Sequence, residues 1–171
     1  MAYVFCRVSS GRGCSLDYQE AEIKKVIDDC KWRIKETIKY VGSAYSETPK
    51  PLLELCKLKR KKIVFYCVDR FSRNYLTGFN LASKFLKNKN ELYFIVEKLK
   101  VTKNSGDEWE TFCKYLKYAE NESQKIAKRV DDSRRYLRSQ GYFTDSVAPF
   151  GYKKIKLSNG RTKLAIDTQS N

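Results

Sequence analysis

The sequence contains no histidine, and its six cysteines (Cys6, Cys14, Cys30, Cys56, Cys67, Cys113) include no Cys-x-x-Cys pair. Those two absences remove the usual ligands of a structural zinc site and any imidazole-based acid–base catalyst. No apolar run reaches the roughly 18 residues that a bilayer span needs. The N-terminus has no charged segment leading into an apolar one, so no secretory signal is expected. There is no G-x-x-x-x-G-K-S/T pattern for a nucleotide phosphate, and no internal repeat. Several cysteines lie inside apolar runs, where a reduced thiol behaves as a small hydrophobe, so an intracellular, reducing setting is expected.

Positive charge is abundant. The 171 residues carry 35 Lys and Arg against 20 Asp and Glu, a net charge of +15. An excess of that size points to a polyanionic partner, with nucleic acid ahead of an anionic membrane. A merely soluble, lysine-rich composition from an AT-rich genome is the plainer alternative. Hydrophobic residues make up 42% of the chain and fall in periodic blocks, enough for one core and a small appendage.

The first block, residues 2–8, reads as a buried strand ending in Arg7-Val8-Ser9-Ser10. Ser15 is a candidate cap for an amphipathic helix over 16–31, with Leu16, Ile23, Val26, Ile27 and Cys30 on its apolar face. A second strand is expected over Ile34–Val41, a polar loop over Gly42–Lys50, and a short helix with Pro51 in its first turn. Ile63–Val68 is a continuous apolar run of the kind found in central parallel strands, and Asp69–Asn74 reads as the loop after it. A helix over Leu76–Leu86 and a strand over Leu92–Val96 complete an alternation that predicts an α/β fold, a mostly parallel sheet with helices on both faces.

From Trp109 the pattern steps three and four alternately through Phe112, Leu116, Ala119, Ser123, Ile126, Val130, Ser133 and Leu137, apolar except at the two serines. This heptad pattern predicts one long helix from a capping Asp107 to Gly141, about 45–50 Å in length. Its second half carries Lys125, Lys128, Arg129, Arg134, Arg135 and Arg138. That charge suits a dimerisation helix lying against DNA, or equally a solvated surface helix. The run Lys57, Lys59, Arg60, Lys61, Lys62 reads as a solvated helix end or, more sharply, as a phosphate contact. Residues 142–171 read as a linker and the cut-short start of another module, with a hairpin at Asn159-Gly160.

Two groups of residues carry chemistry. Ser9 stands at a strand-to-helix turn with Arg7 on the same side of an extended strand, because side chains there alternate with period two. Taken alone, the two serines are also an ordinary helix entry. Asp69, Arg70 and Arg73 follow the best core strand, and paired guanidinium groups suit phosphate better than a carboxylic substrate. By itself that cluster is equally compatible with a structural salt-bridge knot. In one parallel sheet the two groups would surround a serine hydroxyl with three cations and one acid.

These motifs, in this order, resemble the serine recombinases: resolvases, invertases, large serine integrases and serine transposases. The resemblance is carried by Phe5-Cys6-Arg7-Val8-Ser9-Ser10, Ser15-Leu16-Asp17-Tyr18-Gln19, Asp69-Arg70-Phe71-Ser72-Arg73, Glu122 with Ile126 and Arg129, and Pro149-Phe150-Gly151-Tyr152. It spans about residues 2–152 and implies a resolvase-like fold followed by a C-terminal dimerisation helix. It also implies that Ser9 attacks the scissile phosphate and is joined to the 5′ end, with a 3′ hydroxyl released. Arg7, Arg70 and Arg73 would bind the phosphate, Asp69 would orient them or assist proton transfer, and Gln19, Lys50 and Glu122 would support the site. Neither metal nor nucleotide cofactor is implied. The implied partners are double-stranded DNA and further copies of the chain, a homodimer forming a synaptic tetramer, with no membrane.

The sequence departs from the family pattern at Lys50, where most members have Arg, and at Gly42-Ser43, where an acid is usual. A glutamine of the family is displaced near Cys14, and Ser123 stands where Arg is common. These departures keep a second reading open, a catalytically weak or inactive DNA-binding and dimerisation fragment. A small phosphotransferase of similar fold is a third. The expected organisation is a catalytic core over 1–106, a dimerisation and DNA-contacting helix over 107–141, and a linker with a truncated domain over 142–171.

Overall fold

A computed structural model describes residues 1–9, 15–42 and 48–167. Ser10, Cys14 and Ser43, singled out above, lie outside the described residues, as does the end of the tail. The chain divides into two compact units, Met1–Ser123 and Gln124–Asn171.

The first unit is built on a five-stranded sheet in the order β2-β1-β3-β4-β5. Strand β1 (Ala2–Val8) runs parallel to β2 (Ile34–Val41) on one side and to β3 (Lys62–Phe65) on the other, and β3 runs parallel to β4 (Glu91–Phe94). Period-two alternation on β1 sends Ala2, Val4 and Cys6 to one face, where Ile23 and Ile27 of α1 (Leu16–Asp29) cover them. Phe5 points to the other face. It joins Phe65, Leu52 and Leu55 of α2 (Lys50–Lys57), Leu81 and Phe85 of α4 (Tyr75–Lys87), and Phe112 and Leu116 of α5 (Asp107–Ser139). Helices therefore cover both faces, as the alternating pattern predicts.

The local signals that set these boundaries are those of the sequence. Ser15 Oγ accepts from Tyr18 N at 3.1 Å and caps α1, and Pro51 sits in the first turn of α2. Helix α5 starts at Asp107 itself, which belongs with Glu108 and Glu110 to an acidic first turn favourable to the helix dipole; the cap expected of Asp107 is corrected to a first-turn position. Gly141, at φ 75°, ends it, with Gly141 N donating to Arg138 O at 2.9 Å and Tyr142 N to Leu137 O at 3.0 Å.

Two expectations fail. The strand expected over Ile63–Val68 stops at Phe65, and the segment expected as a loop winds into a helical turn, α3 (Val68–Phe71). Strand β4 likewise stops at Phe94, because the chain turns through Lys98, at φ 50°, into β5 (Leu99–Val101), which pairs antiparallel with β4. A three-residue strand leaves too short an alternation to read from sequence.

In the second unit, β6 (Tyr152–Lys156) and β7 (Thr162–Ile166) form an antiparallel hairpin around the expected Asn159-Gly160 turn, with Gly160 at φ 76°. No helix among the described residues is long and apolar enough to cross a membrane.

Candidate active site

Parallel pairing places the carboxyl ends of β1 and β3 side by side, with Phe5 opposite Phe65. Strand β1 runs on to Val8, three residues past the last β1–β3 pair, on the side where the chain leaves β3 for the turn Val68–Phe71. The carboxyl edge of a parallel sheet is where open α/β folds place ligands. Ser9 is exposed there, one residue past β1.

Arg7 is almost wholly buried, at 2% exposure. Its side chain lies on the Phe5 face, and its Nη2 donates to the main-chain oxygen of Asp69 at 3.2 Å. Burial lowers the Arg7 pKa to about 10, and the neighbouring Arg73 and Arg70 push it the same way while Asp69 opposes them. The guanidinium stays charged at any working pH.

Asp69 stands between the other two arginines. Its Oδ2 is 3.8 Å from Arg70 Nη1 and 3.6 Å from Arg73 Nη2. Both separations exceed hydrogen-bond length, so the carboxylate offsets charge without occupying the guanidinium donors. Arg70 Nε is buried with no partner. The four charged side chains predicted as one group, Arg7, Asp69, Arg70 and Arg73, are thus brought together with a net positive charge.

Several side chains hold this group in place. Gln19, fully buried on α1, accepts from Arg7 N at 3.2 Å and donates to Arg7 O at 3.0 Å. It reaches the arginine's backbone, where it satisfies two buried polar groups beyond the end of the β1–β3 ladder. Ser72 Oγ donates to Asn74 O at 2.9 Å, and Asn74 Oδ1 accepts from Thr77 N at 2.9 Å, so the segment that carries Arg73 ends in a capped helix.

Three contributors escape sequence reading. Glu97 Oε1 accepts from Val68 N at 3.0 Å and caps the turn that carries Asp69 and Arg70, while its Oε2 is buried without a partner. Burial raises the Glu97 pKa, and the nearby Asp69 adds to the rise. Cys67 Sγ donates to Asp69 Oδ1 at 2.6 Å; burial first, and then Asp69, hold that thiol protonated well above its ordinary range. Glu120 of α5 accepts from Tyr75 N at 3.0 Å and so ties the start of α4 to the long helix. The sequence signal for the two glutamates is an acid next to an apolar block, which many surface acids share, and Cys67 reads only as part of the apolar run Ile63–Val68.

Lys50 opens α2 and is exposed, and Glu122 is exposed on α5; neither is ion-paired or hydrogen-bonded among the described residues. Lys125, Lys128, Arg129, Arg134, Arg135 and Arg138 are all exposed. Arg135 pairs with Asp131, and Arg138 with Asp145 at 2.8 Å. Among the described residues no three His, Cys, Asp or Glu side chains group as a metal site would require.

An α/β sheet with a cationic cluster at its carboxyl edge, followed by a long helix, defines a resolvase-type catalytic domain. The family model described as Resolvase, N terminal domain, matches residues 2–142, and the chain belongs to that family of serine recombinases. The fold is shared with solved structures. The N-terminal catalytic domain of TP901-1 integrase is 20% identical, with a TM-score of 0.54 over 73% of this chain and 97% of that one. A resolvase family site-specific recombinase from Streptococcus pneumoniae is 13% identical, with a TM-score of 0.52 over 81% of this chain and 97% of that one. The C-terminal catalytic domain of ISC1926 TnpA, an IS607-like serine recombinase, is 16% identical, with a TM-score of 0.51 over 79% of this chain and 84% of that one. No curated protein matches the sequence.

Proposed function

We propose that the chain cleaves and rejoins double-stranded DNA through a covalent phosphoserine intermediate on Ser9. The oxygen of Ser9 bonds to phosphorus as the bond to the 3′ oxygen breaks; the serine proton leaves, and the departing 3′ oxygen becomes a hydroxyl. Rejoining is the reverse attack by a 3′ hydroxyl on the phosphoserine. The diester's energy is retained in the protein–DNA bond, so the cycle calls for no nucleotide. Arg70 and Arg73 contact the phosphate oxygens, Arg7 adds buried positive charge behind them, and Asp69 sets their positions and assists proton transfer. Gln19, Lys50 and Glu122 support that arrangement. Subunits pair through α5, two dimers synapse into a tetramer, and the basic residues 125–138 lie along the duplex backbone.

The observation that carries this reading is the set of arginine donors left open around Asp69, at the sheet edge where Ser9 emerges. A structural salt-bridge knot would close those donors onto carboxylates at hydrogen-bond length. The net charge of +15 supports the choice of a polyanionic substrate.

The test is incubation of the protein with nicked duplexes drawn from DNA flanking its gene, followed by denaturing electrophoresis. A protein–DNA adduct is expected, lost in Ser9→Ala while circular dichroism stays unchanged. A Ser9→Ala protein that binds and associates like the wild type, with no adduct from either, would replace this reading with that of a DNA-binding fragment.

A further inference from the structure

The amino end of the sheet, remote from Ser9, carries charge that strand exchange at the carboxyl edge does not use. The connections entering β3 and β4, residues 58–61 and 88–90, meet there. The register of β5, with Val101 opposite Leu92, brings Thr102 and Lys103 to the same edge. Lys59, Arg60, Lys87 and Lys89 line one shallow cleft, Lys89, Lys100 and Lys103 the next, and Arg60, Lys61 and Lys89 a third. The clefts share residues, so the surface is continuous.

This charge is not neutralised locally. Over 57–62, 84–91 and 100–103 the one acid is Glu91, and it is engaged by Lys62 at 3.1 Å and Lys100 at 3.4 Å. Among the described residues Lys59, Arg60, Lys61, Lys87, Lys89 and Lys103 form no ion pair.

Nor is it carried on loose loops. Asn90, 1% exposed, accepts from Lys61 N at 2.9 Å and donates to Leu58 O at 2.8 Å. Asn88 Nδ2 donates to Cys56 O at 2.6 Å, and Arg60 N donates to Asn88 O at 3.1 Å. The two basic connections are laced together through their backbones, which leaves the charged side chains outward. Arg60 and Lys89 hold left-handed backbone conformations, at φ 55° and 58°, where glycine would be the less strained residue. The sequence keeps a cation at both.

We propose that this amino-edge surface is a second binding site for double-stranded DNA, gripping the phosphate backbone of a segment other than the one cleaved at the carboxyl edge. Fixed cations spread over several loops match a ligand of regularly spaced negative charge. A membrane is disfavoured, because Met1 is the one exposed large apolar side chain among the residues lining these clefts and offers little to insert. The choice of DNA over other polyanions rests on the strand-exchange reading; the charge and its placement do not.

The experiment measures binding of the full chain to an unrelated duplex of about 30 base pairs across a salt series, since each phosphate contact adds about 0.9 to the logarithmic salt slope. The variant K59Q/R60Q/K87Q/K89Q/K103Q is expected to bind at least tenfold more weakly, with the slope reduced by about 3. If that variant misfolds, K87Q/K103Q alone, both outside the left-handed positions, is expected to lower the slope by about 1–2. Replacing Lys59, Lys87, Lys89 and Lys103 by arginine is expected to preserve binding. An unchanged affinity and slope in a folded variant would overturn the proposal. So would patch-dependent binding that is tighter to phosphatidylserine vesicles or to double-stranded RNA than to DNA. Ser9→Ala is expected to leave this binding intact, so loss of adduct chemistry and loss of the surface are read separately.

Discussion

The guanidinium of Arg7 and the main-chain oxygen of Asp69, 62 positions apart in sequence, are joined by a hydrogen bond of 3.2 Å. It fixes the end of β1 to the turn after β3, and so brings the two motifs of the candidate site to one edge. The bond is made by a cation whose burial works against folding. Arg7 binds its proton less tightly in the folded protein than in the unfolded one, so the penalty of charging it is present below about pH 10 and is relieved only above that. Arg7→Met is therefore expected to fold with equal or greater stability in urea, while adduct formation on DNA is lost. A clear drop in the urea midpoint would show that the bond outweighs the burial.

Gln19 leads to the opposite result. Its amide satisfies both the N–H and the C=O of Arg7 inside the protein. Gln19→Leu leaves two buried backbone groups without partners, a loss of about 2–4 kcal/mol. Chemical denaturation checks it. A loss below about 1 kcal/mol would mean that water or a shifted backbone takes over.

Glu97 gives a pH-dependent prediction. Its folded pKa is raised, so the folded state holds that proton more tightly than the unfolded chain does. The stability this contributes is present in acid and is lost as pH rises through the folded value. Glu97→Gln keeps an acceptor for Val68 N and removes the buried charge. The variant is expected to exceed wild type in thermal midpoint at pH 7, with the difference shrinking toward pH 4. A constant difference across that range would separate Glu97 from any titration. Glu97→Ala removes the cap as well, and is expected to lower adduct formation through the displaced turn.

Gly78 on α4 marks a close approach to α5. A Cβ there would lie 2.6 Å from Leu116 Cδ2 and 3.0 Å from Ser72 Cβ, and Leu116 is fully buried. Helix propensity favours alanine by about 1 kcal/mol, but overpacking costs about 1–3 kcal/mol. Gly78→Ala is expected to be net destabilising in thermal melts. A rise in melting temperature would show that Leu116 has room to move.

Much of this protein follows from short stretches read by themselves. The apolar run of Ala2–Val8, the strand Ile34–Val41, the Ser15 cap, the Gly141 stop and the Asn159-Gly160 hairpin each depend on residues within about one turn or one strand pair. They are legible because the physics that sets them is local. The motifs around Ser9 and Asp69 are legible for a different reason, since the chemistry they suggest needs those residue types in that order.

The turn at Val68–Phe71 is not legible in this way. Read locally, Ile63–Val68 is a strand followed by a loop. A carboxylate 29 positions further on caps the turn instead, and nothing near Val68 in sequence announces it. Strand β5 has the same history, since three residues pair only because β4 is already in place. The sequence by itself determined the kinds and order of the longer elements, the family and the excess of positive charge. Which guanidinium meets which oxygen, which backbone Gln19 satisfies, and which lysines gather at the far edge were decided by the tertiary structure. Those contacts join residues tens of positions apart, and such a pairing leaves no periodic trace in the chain.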